Sequence, residues 1–160
     1  MRKITPFLWF DNNLEEAMNF YTSLFSNARI LQVARYPEGG PMPGGMVMTA
    51  TFELEGQQFM GLNAGPGHSF TDAISLFVDC ETQAEVDALW EKLTADGGEP
   101  GPCGWCKDKF GLSWQIIPRA LGELMGDPDP AKSQAVMQAM LQMTKIDVAK
   151  LQAAYNSVTA

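Results

Sequence analysis

The chain has 160 residues, 46% apolar and 19% charged, enough for one folded domain with a core and too apolar for a disordered chain. Its net charge of −8 argues against nucleic acid and anionic membrane surfaces as partners, because no surplus of Lys and Arg is available to neutralise phosphates. No apolar run predicts a membrane helix, Asp11, Glu15 and Glu16 interrupt any secretory leader, and three cysteines make no disulfide framework. A cytoplasmic protein with reduced thiols is expected.

Residues 4–10 form a short aromatic, apolar run and predict a strand. Asp11-Asn12-Asn13 then supplies cap chemistry, with Glu15 and Glu16 in the first helical turn, where the helix dipole favours acids. Leu14, Ala17, Met18, Tyr21, Leu24 and Phe25 share one helical face. Residues 28–36 alternate as a strand. Residues 37–45 (PEGGPMPGG) are too rich in Gly and Pro for anything but a loop. Residues 46–54 and 57–63 predict a hairpin turning at Glu55-Gly56.

The pattern restarts near Ala73. Residues 74–80 predict a strand. Thr82 and Glu85 have capping-box spacing for a helix whose apolar face is Val86, Leu89, Trp90 and Leu93, ended by Gly97-Gly98. Residues 99–106 and 112–117 predict strands around a Lys-Asp-Lys-Phe-Gly turn. Asp127-Pro128-Asp129-Pro130 opens a Met- and Ala-rich helical stretch, and Asp147 caps a last helix carrying Val148, Leu151 and Tyr155. These tail helices are expected to pack on the domain or on a second subunit.

The two halves align. Residues 7–11 match 75–79, strand then helix cap, and Gly56 with Phe59 matches Gly111 with Trp114. The predicted fold is α+β: two tandem βαβββ units forming curved mixed sheets around a cavity, plus C-terminal helices. Residues 1–126 form the paired βαβββ domain and residues 127–160 the helical extension.

Thr5 to Phe10, Leu62-Asn63-Ala64-Gly65-Pro66, Ala73 to Val78 and Gly104-Trp105 through Pro118 together resemble the PhnB-like branch of the vicinal oxygen chelate superfamily. That superfamily includes glyoxalase I, extradiol dioxygenases and bleomycin-resistance proteins. The resemblance covers nearly the whole chain. The branch also carries the label 3-demethylubiquinone 3-methyltransferase. Methyl transfer from S-adenosylmethionine usually needs a Gly-rich loop after a first parallel strand, whereas the Gly-rich residues 39–45 lie between apparent antiparallel strands.

Metal-using relatives imply ligands at Thr5 or Pro6, at Met60 or Gly61, at Ala73 and at Gln115. These positions hold no His and no carboxylate, so no metal and no cofactor is expected. His68, the only histidine, sits in a Gly-Pro-Gly-His loop and reads as solvated, with general-base chemistry as the alternative. Cys103 and Cys106 have C-x-x-C spacing but sit in a hairpin, away from the helix N-terminus that activates such thiols, and read as structural.

Polar side chains on apolar strands need partners or a pocket. Asn63, Ser75 and Gln115 are therefore expected to face inward, and Trp9, Phe70, Trp105 and Trp114 to supply aromatic walls. The functional expectation is a protein of the bleomycin-resistance type that binds a small molecule in a metal-free, aromatic and amide-lined cavity. The acidity of the whole protein, together with aromatic pocket walls, also favours a cationic ligand, since aromatic faces attract cations. The superfamily implies the alternative, a metal-dependent lyase or dioxygenase-type enzyme using a non-standard site. Half-sheets of this scaffold commonly complete each other across a two-fold axis, so a homodimer is expected.

Overall fold

The computed structural model describes residues 2–158, and the chain divides into two units after Ser69. In the first, β1 (Phe7–Phe10) leads into α1 (Leu14–Ser23), and then β2 (Ala28–Arg35), β3 (Val47–Leu54) and β4 (Gln57–Asn63) follow. The sheet order is β1-β4-β3-β2, with β1 parallel to β4 and the other pairs antiparallel.

Alternation assigns the faces of this sheet. Leu8 and Phe10 are buried beneath α1, while Phe7 is exposed and Trp9 half-buried. The helix buries Leu14, Ala17, Met18 and Tyr21, and the Tyr21 ring meets Phe52, which stacks on Phe59 at 5.5 Å. Each such side chain contributes roughly 1.5–3 kcal/mol through burial. Gly61 is required beneath the helix, because a Cβ there would lie 2.6 Å from Leu14 Cδ1. The expected hairpin turns at Glu55 and Gly56, both at positive φ as a tight two-residue turn demands. The Gly-rich residues 37–45 join β2 to β3, which are antiparallel neighbours.

The second unit repeats the plan. It contains β5 (Ser75–Cys80), α2 (Gln83–Thr94), β6 (Glu99–Pro100), β7 (Trp105–Lys107) and β8 (Ser113–Pro118), in the order β5-β8-β7-β6. Again the first strand runs parallel to the last. Both sheets are open and mixed, and the fold is α+β. Thr82 caps α2 as its spacing predicts, accepting from the Glu85 amide at 3.2 Å, while Glu85 accepts from the Glu81 amide at 2.9 Å.

Residues 99–106 do not form one strand. A short 3-10 turn at Pro102–Gly104 separates β6 from β7. Pro102 has no amide to give a ladder, and Cys103 (φ +57) and Gly104 (φ +85) occupy the left-handed region. The stretch from residue 127 holds the two helices expected, α4 (Pro130–Met140) and α5 (Val148–Asn156), and a further helix, α3 (Arg119–Met125), precedes them. Leu121, Val136, Ile146 and Leu151 form their core, and Ile117 at the end of β8 packs against it. Among the described residues, no helix is long and apolar enough to cross a membrane.

Candidate functional site

One face of the second sheet lies under α2, where Trp114 and Ile116 are buried. The opposite face carries the polar side chains. Register places Lys107, Ser113 and Ser75 in one row across β7, β8 and β5, with Glu99 beside Lys107 on β6. The next row is Trp105, Gln115 and Phe77. A cleft of about 230 Å³ opens at this face, lined by Asp72, Glu99, Gly101, Trp105, Lys107 and Ser113 among others.

Hydrogen bonds organise this face of the sheet, beside the cleft and within it. Gln115 Nε2 donates to Ser75 Oγ at 2.9 Å, satisfying the amide that interrupts the apolar strand. Ser113 Oγ donates to Asp72 Oδ1 at 2.9 Å, and Lys107 Nζ lies 3.4 Å from the same oxygen. The Ser113 hydroxyl first, and the Lys107 ammonium second, hold the Asp72 carboxyl below its ordinary pKa. The cleft therefore sets the acidic side chains of Asp72 and Glu99 and the basic side chain of Lys107 beside the Trp105 indole.

Of the seven residues singled out in the sequence, Ser75, Trp105 and Gln115 share this face of the sheet, and of these Trp105 lines the cleft. Phe70 is partly buried and precedes Asp72 by two positions. Trp9 is in the first unit, where its Nε1 donates to the Gly65 carbonyl at 3.0 Å and its ring meets His68 edge-on at 4.6 Å. His68 is exposed. Asn63 and Trp114 lie on the helix sides of their sheets and are 1% exposed. Asn63 Oδ1 accepts the Leu14 amide at 3.0 Å, and its Nδ2 donates to the Val47 carbonyl at 2.9 Å. Asn13 at the N-cap makes no side-chain cap bond, so Asn63 supplies from β4 the acceptor that residues 11–13 were expected to supply.

Trp114 Nε1 donates to Asp108 Oδ2 at 2.9 Å. Asp108 is 2% exposed and also accepts the amides of Phe110 (2.8 Å) and Leu112 (3.1 Å). Reading Lys-Asp-Lys as merely polar missed this buried carboxylate. The signal was present, since Asp at the start of a four-residue turn with Gly111 at its end is a turn built on a side-chain acceptor. Asp72, Glu99 and Lys107 were also missed, because charged residues beside turns carry no distinguishing sequence pattern.

The superfamily's metal positions do not fit a divalent cation. Thr5, Pro6, Met60, Gly61 and Ala73 carry no imidazole or carboxylate, and Gln115 is one amide, already engaged with Ser75. Among the described residues, no three His, Cys, Asp or Glu side chains gather where an ion would sit. Burial pushes the thiols of Cys80 and Cys106 up to about 12, which keeps them as neutral, unreactive groups.

The profile of the 3-demethylubiquinone-9 3-methyltransferase family matches residues 2–117. Among solved structures, a Bacillus cereus PhnB protein is 43% identical, with 73% of this chain and 99% of that chain aligned at a TM-score of 0.67. A Pseudomonas aeruginosa protein at 19% identity shares the fold, with a TM-score of 0.61 over 74% of this chain and 98% of that one. No curated protein matches the sequence. The chain belongs to the 3-demethylubiquinone-9 3-methyltransferase, or PhnB-like, family.

Proposed function

We propose that this protein binds a small organic cation in the cleft on the open face of its second sheet, without a metal. The observation that carries this reading is the register of Trp105 beside Gln115, next to the acidic side chains of Asp72 and Glu99 and the basic side chain of Lys107. An indole face with net negative charge around it attracts an ammonium group, worth about 0.5–2 kcal/mol from the ring alone. The indoles of Trp9 and Trp114 are engaged with protein acceptors, whereas the Trp105 N–H has no partner among the described residues. It is free to meet an oxygen of the ligand. Methyl transfer draws no support from these residues: the Gly-rich loop joins antiparallel strands, not a parallel strand to a helix.

Choline is a suitable probe, and 3,3-dimethylbutan-1-ol is its uncharged isostere. In titrations followed by the Trp105 indole resonance, choline is expected to saturate near the millimolar range, about −4 kcal/mol. The isostere is expected to bind less tightly, and Trp105→Ala to abolish choline binding measured by isothermal titration calorimetry. Equal binding of both compounds, or none, overturns the reading.

The exposed Phe7 (49%) and Phe77 (61%) on the two sheet faces support a homodimer, since exposed aromatic surface marks contact sites. Light scattering at micromolar concentration tests this, and a monomer removes it. Three free cysteines support a reducing, cytoplasmic setting.

A further inference from the structure

The wall of the cleft between β6 and β7 is held only in part by its own ladder: Gly101 N–H donates to the Trp105 carbonyl at 2.8 Å and Trp105 pairs with Gln115, while the turn between them is bonded elsewhere. Pro102–Gly104 interrupts the strand, with Cys103 and Gly104 in the left-handed region, and the amides of these two residues reach outside the sheet. Cys103 N–H donates to the Met143 carbonyl and Gly104 N–H to the Thr144 carbonyl, both at 2.8 Å. Cys103 is a non-glycine residue at φ +57, a conformation that persists only where surroundings impose it. Ile146, fully buried, covers Gly104 so closely that a Cβ on that glycine would lie 3.0 Å from its Cγ1.

The segment that imposes this conformation is fastened in turn to α2. Gln83 Nε2 donates to the Ile146 carbonyl at 2.9 Å, and Gln83 Oε1 accepts the Val148 amide at 2.7 Å. Lys145 pairs with Asp87 at 2.9 Å, and Asp87 also accepts from Gln83. All of these tail residues lie beyond residue 117, where the family match stops.

We propose that residues 143–148, latched by Gln83, position the Gly101–Trp105 wall of the cleft, so that Gln83 is a positioning residue for the ligand site although it contacts no part of the cleft. The inference rests on the cleft being the binding site. In mechanism, opening of the tail removes the acceptors of Cys103 and Gly104, the turn relaxes towards extended backbone, and the Trp105 ring loses its fixed position in the cleft while its backbone stays in register with Gln115. Ligand bound against Trp105 disfavours that opening by the same factor.

Amide hydrogen exchange on the full chain tests it. In Gln83→Ala, protection at Cys103 and Gly104 is expected to fall at least about tenfold while Trp114 and Ile116 in β8 keep theirs. Choline affinity is expected to fall about fivefold, a loss within the usual range of coupling between sites. Gln83→Glu keeps the acceptor for Val148 but loses the donor to Ile146 and Asp87 and sets a carboxylate against Asp87, and loss of protection is expected here too, which also serves if the alanine variant fails to fold. Thr82→Ala weakens the same helix end through a cap bond internal to α2, and is expected to spare Cys103 and Gly104. Unchanged protection of these two amides in both Gln83 variants overturns the proposal, as does equal loss in Thr82→Ala. If the unmodified protein does not bind choline, the binding reading fails, and the exchange data alone then decide whether the tail positions the wall.

Discussion

Asn63 on β4 accepts the backbone amide of Leu14, the first residue of α1, at 3.0 Å. The two residues are far apart in sequence, and the bond ties the last strand of the first unit to the helix that follows the first strand. The same side chain donates to Val47 and is buried, so its polar atoms have no water to fall back on.

Asn63→Ala is expected to lower stability by about 2 kcal/mol in urea denaturation, since it strands a helix-terminal N–H and a strand carbonyl. Asn63→Asp retains the acceptor but sets a carboxyl against the Val47 carbonyl. Burial raises that carboxyl's folded pKa above its unfolded value. Stability of this variant is therefore highest in acid and falls as pH rises. A stability that is flat or rises between pH 4 and 7, set by the ordinary Asp range, would contradict this assignment.

Asp108 holds the β7–β8 turn and the Trp114 indole together. Asp108→Ala leaves three buried donors without their acceptor and is expected to cost about 3 kcal/mol or more. Asp108→Asn is expected to cost less, because one amide oxygen remains. Equilibrium urea curves for the two variants give the order, and equal costs would mean that shape rather than acceptor capacity matters.

Asp72 is held below its ordinary pKa by Ser113 and Lys107. The depressed value means that its contribution is present above the unfolded pKa and disappears as pH falls through the folded one, below about pH 4. Choline binding is expected to persist from neutral pH down to that range and to weaken below it. Asp72→Asn is expected to weaken binding several-fold at neutral pH and flatten this acid limb, read from the same Trp105 resonance.

Burial raises the Cys80 and Cys106 thiols to about 12, whereas Cys103 is only partly buried. Brief iodoacetamide treatment of the native protein at pH 8 is expected to label Cys103 alone, as read by peptide mass spectrometry. Labelling of Cys106 at a comparable rate would reopen a redox role for the C-x-x-C pair.

Much of the scaffold was legible because it follows from local chemistry. Period-3.6 burial located α1 and α2, Glu55-Gly56 located the hairpin, and Thr82 with Glu85 located the second helix start. The broken strand at residues 99–106 was not legible. Cys103 accepts a left-handed backbone only because amide acceptors arrive from residues 143 and 144, some forty positions away. The site divided in the same way. Gln115 announced a need for a partner by being an amide among apolar neighbours, but Ser75 as that partner is a matter of parallel register.

By itself the sequence determined the duplicated βαβββ plan, the family resemblance and the absence of ligand chemistry at the superfamily's metal positions, because these depend on residue type and spacing. Tertiary structure alone decided what each polar side chain does. Asn63 and Asp108 became internal acceptors, since strand alternation turned them or their partners under a helix, where an unpaired polar group is costly. Asp72, Lys107, Ser113 and Trp105 became a cleft, since pairing of β5, β7 and β8 brought residues distant in the chain to one exposed face.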